Sequence, residues 1–95
     1  MEDKVRVHIW VVGRVQGVGF RAHVVHAAQQ AGVTGWVRNV GYDRVEALAE
    51  GEKQAVEAFI EAVKAGPRAS RVDQSQVDWE VPTGEFKGFS ARSSL

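Results

Sequence analysis

Two stretches of helical periodicity, each lodged between strand-like stretches, constrain this chain more than any other feature of its sequence. Residues 5–12 alternate, with Val5, Val7, Ile9 and Val11 on one side and Arg6, His8 and Trp10 on the other. That is the period of a half-buried strand, and Gly13 is expected to end it. Phe20, Val24, Ala27, Ala28 and Ala31 then form one stripe of a helix. Gly32 is placed to stop that helix in the left-handed conformation. A second strand is predicted over residues 35–40 and a third over residues 45–50, joined by a tight turn at Tyr42-Asp43. A second helix over about residues 52–65 buries Val56, Phe59, Ile60 and Val63, and Gly66-Pro67 closes it. A fourth strand over residues 72–81 carries Val77, Trp79 and Val81 in alternation. After the turn Pro82-Thr83-Gly84, a short last strand is predicted over residues 86–92.

The order β-α-β-β-α-β, with one short strand appended, predicts an α+β fold. It is a ferredoxin-like βαββαβ sandwich, two helices packed on one face of a mostly antiparallel sheet with a short extra C-terminal strand. The 95 residues supply one such unit, so a single domain over residues 1–95 is expected. Hydrophobic residues at 44% and charged residues at 25% exclude disorder. Twelve basic side chains balance twelve acidic ones, and a net charge of zero argues against nucleic acid as the partner. The lack of cysteine removes disulfides, thiolate zinc sites and a cysteine nucleophile. No apolar run is long enough to span a membrane, and the opening Met-Glu-Asp-Lys has no leader-like apolar stretch. A cytoplasmic monomer without membrane association is the expectation.

The segment from Gly13 to Arg21 is the most informative for chemistry. Gly13, Gly17 and Gly19 let backbone N–H groups converge between a strand and a helix. The helix beginning near Phe20 adds the positive end of its dipole. Arg21, in the first turn, leans back over the loop and offers a planar fork to two oxygens. Loop, dipole and guanidinium all suit an anion. Gly17, Gly19 and Ala22 match a dinucleotide-binding pattern, but a chain of this length lacks the parallel crossover units that fold requires. A Walker loop is also excluded, because Phe20-Arg21-Ala22 supplies neither lysine nor hydroxyl. The split βαβ order makes the first two strands parallel with the third between them, which puts Asn39 and the loop at one edge, roughly 10 Å apart.

Gly13-Arg14-Val15-Gln16-Gly17-Val18-Gly19-Phe20-Arg21, followed by Gly35-Trp36-Val37-Arg38-Asn39, resembles the paired signatures of the acylphosphatases. The likeness extends through Val45-Glu46, Gly66-Pro67, Trp79-Glu80, Pro82-Thr83-Gly84, Phe86 and Phe89. The family commonly has Asp-Gly or Asn-Gly before its third strand, where this chain has Tyr42-Asp43. The resemblance implies hydrolysis of small-molecule acyl phosphates with no cofactor and no metal. It implies phosphate binding by Gly17, Val18, Gly19, Phe20 and Arg21, with Arg21 and Asn39 as catalytic residues and Asn39 positioning water. Inorganic phosphate or sulfate is then an expected inhibitor.

Other residues have plainer readings. His23 and His26 share a helical face but lack a third ligand, so no metal site is expected. Arg14 and Arg38 flank the site and would raise its positive potential, or lie solvated at the surface. Trp36 and Trp79 are read as packing residues. Two rival functions use the same fold: a non-catalytic binding or regulatory module, and an acylphosphatase-like partner in carbamoyl transfer. An RNA-recognition domain would expose aromatics on its central strands and carry a basic surface, which this chain does not predict.

Overall fold

The structure, a computed structural model, describes residues 3–95; Met1 and Glu2, where the leader argument begins, lie outside the described residues. The elements are β1 (Lys4–Arg14), α1 (Phe20–Ala31), β2 (Thr34–Val40), β3 (Arg44–Glu52), α2 (Lys53–Ala65), β4 (Arg71–Glu80) and β5 (Phe89–Ala91). The sheet order is β4-β1-β3-β2-β5, antiparallel throughout except for the parallel pair β2 and β5. Both helices lie on one face, as the ferredoxin-like reading requires.

Alternation along β1 sends Val7, Ile9 and Val11 into the core, with Val45, Ala47 and Ala49 beside them on β3. Phe20, Val24 and Ala28 from α1 and Val56, Phe59, Ile60 and Val63 from α2 close over that layer. Burial of whole aliphatic and aromatic side chains, roughly 1.5–3 kcal/mol each, is what holds the helices down. Gly32 caps α1 in the left-handed region, its N–H donating to the Ala28 carbonyl.

Five details differ from the sequence reading. β1 does not stop at Gly13 but runs to Arg14 through a bulge at Val12/Gly13. There Gly13 takes φ +147, and a Cβ would collide with the Arg71 carbonyl. β3 is buried on both faces, Glu46 and Glu50 included, because side chains of neighbouring strands roof its outer face. Trp79 is 52% exposed and Val81 83%, so Trp79 is not a packing residue. It sits on β4, an outermost strand, where alternation no longer implies cover. The last strand contracts to Phe89–Ala91, yet its pairing with β2 continues beyond it: Arg92 N–H donates to Val37 and Leu95 N–H to Asn39. The turn before β3 obtains its left-handed residue from Gly41, one place ahead of Tyr42-Asp43.

Candidate active site

The chain leaves β1 through Val15, which is fully buried and anchors the loop to the core. Gly17 and Gly19 both adopt left-handed φ, +71 and +76, with open space where a side chain would stand. Their glycine identity therefore serves backbone shape, and it leaves the loop's upper surface bare. Gly19 is also the N-cap of α1. It provides no side-chain acceptor, and the first turn contains no acid, so the first N–H groups of the helix keep their hydrogen-bonding capacity and positive partial charge.

Arg21 stands over this loop and donates one hydrogen bond, 3.1 Å from Nη1 to the Arg92 carbonyl. That contact holds the guanidinium in place while most of its five donors stay free. Gly17, Gly19, Phe20 and Arg21 line one pocket of about 260 Å³, together with Val15, Ala22 and Asn39. The structure thus brings the loop and Asn39 together. Val18 does not line the pocket; its side chain packs against the core, and the group expected to bind phosphate there is its main-chain N–H in the loop. The Asn39 carboxamide makes no hydrogen bond to protein among the described residues, so it is not spent on a strand-end turn.

Two connections from β1 and its loop reach the β2–β3 turn. Gly13 N–H donates to the Asp43 carbonyl at 2.9 Å. The Gln16 carboxamide donates across the Gly41 and Arg44 carbonyls, both at 3.1 Å, and the Val40 carbonyl at 3.4 Å. Sequence reasoning missed Gln16, for nothing in an isolated glutamine signals which carbonyls it will meet. It also missed the Arg92 carbonyl, a main-chain group that residue identity does not encode.

The flanking residues divide. Arg14 is exposed at the end of β1 opposite Arg71, and Arg71 is drawn off by Asp73 at 2.8 Å. Arg38 faces the other side of the sheet from Asn39, where it binds Glu46 at 2.7 Å and lies over Trp36 at 4.9 Å. Its charge is neutralised there. Trp36 is buried as expected, and Arg92 also lies over its ring at 4.8 Å. His8 stacks on Trp10 and meets Glu46 at 2.6 Å. Burial pushes the Glu46 carboxyl up, but hydrogen bonds from Arg38 and His8 outweigh it and hold the carboxyl below its ordinary range. His23 Nε2 lies 3.0 Å from the Ala62 carbonyl, and its ring is taken up in fastening α1 to α2.

Strand directions also sort charge. Arg14, Arg44, Arg68 and Arg71 lie at the same end of the sheet as the glycine loop, with Asp43 and Asp73 as acids at that end. Glu50, Glu52, Glu80 and Glu85 gather at the opposite end with Lys4 and Lys53, and there Arg6 pairs with Glu50, Glu80 and Glu85. A chain with no net charge has folded so that the pocket end carries a basic excess and the opposite end a smaller acidic one.

Comparison with known proteins agrees with this fold. Residues 7–91 match the acylphosphatase family profile. An acylphosphatase of Roseiflexus sp. is 49% identical over 90 residues, 95% of this chain and 97% of the relative. The crystal structure of acylphosphatase from Bacillus subtilis superposes with a TM-score of 0.88 at 41% identity, covering 93% of this chain and 98% of that one. Full-length HypF, solved in a phosphate- and nucleotide-bound form, matches 99% of this chain with only 12% of its own, at a TM-score of 0.87 and 34% identity. The chain belongs to the acylphosphatase family and is an enzyme that hydrolyses acyl phosphates.

Proposed function

We propose that the reaction takes place in the pocket between the glycine loop and Asn39, without metal or cofactor. Backbone N–H groups of residues 17–20 and the Arg21 guanidinium hold the phosphoryl oxygens and stabilise the charge that develops on them. The Asn39 carboxamide places a water in line with the acyl oxygen. Water oxygen bonds to phosphorus, the bond from phosphorus to the acyl oxygen breaks, and the carboxylate departs with its electron pair. The water's proton passes to a phosphoryl oxygen of the substrate. A carboxylate is a good leaving group, so no strong general acid is called for. The observation that carries this reading is that Gly17, Gly19, Arg21 and Asn39 line one pocket.

The reading includes phosphate and sulfate as competitive inhibitors and a monomer as the active unit, since every group it uses comes from one chain. Hydrolysis of benzoyl phosphate, followed by ultraviolet absorbance in the presence of a chelator, tests it. Turnover inhibited competitively by inorganic phosphate is expected. Turnover that vanishes in chelator and returns with a divalent ion would overturn the metal-free mechanism.

A further inference from the structure

We propose that Gln16 is a positioning residue for this reaction: its side-chain amide sets the distance between the phosphate loop and the water held by Asn39. The inference rests on the roles just assigned to the loop and Asn39. Those two groups arise from separate elements, the loop after β1 and the end of β2, so their spacing must be fixed by something that joins them. Gln16 sits between buried Val15 and Gly17, which lines the pocket. Its Nε2 meets the carbonyls of Val40, Gly41 and Arg44, and Val40 directly follows Asn39. Among the described residues it makes the only side-chain hydrogen bonds from loop residues 15–19 to residues 40–44.

The chemistry of the position is specific. Three carbonyl oxygens converge on a group that must donate and must be neutral beside an anion pocket. A carboxamide satisfies both conditions, whereas a carboxylate would face three acceptors with nothing to donate. Gly17 and Gly19 have open space around them and little of their own to hold the loop's height. Loss of the brace would let the loop and the end of β2 drift apart, and a misplacement of about 1 Å can cost on the order of 100-fold in rate. Phosphate affinity would change far less, because Arg21 and the loop N–H groups stay together on one side of the gap.

The test compares Gln16→Met, which keeps length without a donor, with Gln16→Glu, alone and combined with Asn39→Ala. Turnover of benzoyl phosphate, inhibition by inorganic phosphate and thermal melting are measured for each. Folded Gln16→Met should lose roughly 10- to 100-fold in kcat, with phosphate inhibition moved by less than about threefold. In the Asn39→Ala background the same change should cost almost nothing further, since no positioned water remains to misplace. Gln16→Glu should be slower than Gln16→Met near neutral pH. It should recover relative to the parent as pH falls, when its carboxyl gains a proton it can donate.

Parental kcat in folded Gln16→Met, or losses that multiply with Asn39→Ala, would overturn the brace and leave the role of Asn39 standing. Asn39→Ala turning over at the parental rate would instead remove the reading on which the brace depends. Should Gln16→Met fail to fold, the pH recovery of Gln16→Glu decides the matter alone: recovery supports the brace, and a constant ratio to the parent overturns it.

Discussion

Arg21 and Asn39 face one pocket from different elements, and their substitutions should fail differently. Arg21→Lys keeps charge but loses the fork, and with it the bond to the Arg92 carbonyl that orients the side chain. Phosphate affinity and turnover should fall together, seen as a weaker inhibition constant beside a lower kcat. Asn39→Ala should leave phosphate inhibition near the parental value while turnover falls roughly 10²–10³-fold, the usual cost of one well-placed polar group. Circular dichroism should show both variants folded, since both side chains lie at the rim of the sheet. That both would line one pocket was legible, Arg21 from its place beside the glycine loop and Asn39 from the second signature and the parallel course of the first two strands. For Arg38 neither a flanking charge nor a solvated surface residue describes the outcome: two-residue periodicity turns it to the opposite face from Asn39, and Glu46 stands directly across the β2–β3 hairpin from it, a register the predicted turn alone does not specify.

Elements were legible where periodicity had a clear end and obscure where pairing overrode it. The stripe on α1 and its Gly32 stop fell where the helix does, because cap and stripe are local properties. Gly13 looked like a terminator but serves as a bulge, since β4 continues to pair with β1 beyond it. The consequence is measurable. Gly13→Ala forces a side chain into positive φ and against the Arg71 carbonyl, and should cost about 1–3 kcal/mol. For a domain of this size that lowers Tm by roughly 4–8 °C for each kcal/mol. Gly88→Ala is the control: a Cβ there meets nothing within 4 Å, so a melting curve within about 0.5 kcal/mol of the parent is expected. Trp79 was misjudged for a related reason, because alternation reports a strand's period and not whether another layer covers it.

At the scale of the whole molecule, two acids on the outer face of the sheet tie fold stability to pH. Burial raises the Glu50 carboxyl, but the Thr83 and Gly84 N–H groups, Arg6 and the Thr83 hydroxyl outweigh it and hold it below the ordinary value of 4.5, as Glu46 is held. A carboxyl depressed in the folded state stabilises fully above its unfolded pKa, and that contribution is lost as pH falls through the folded one. Denaturant melts should therefore weaken steadily on acidification below the ordinary carboxylate range. Glu50→Gln should be less stable at neutral pH, with a flatter acid limb. Charge segregation has its own signature: kcat/KM for an anionic acyl phosphate should fall as salt rises from low ionic strength, with kcat little changed, because screening removes steering without touching the bound complex. Net charge, the quantity composition supplied, was blind to this. The same polarity should decide how the protein behaves on a chromatography column. A chain with an isoelectric point near 6.8 would be expected to wash through ion-exchange media at neutral pH. A molecule basic at one end and acidic at the other can instead stand on either resin, arginine end down on a cation exchanger and glutamate end down on an anion exchanger. Phosphate buffer, by occupying the basic end, should release it from the first and leave the second grip unweakened beyond the effect of ionic strength.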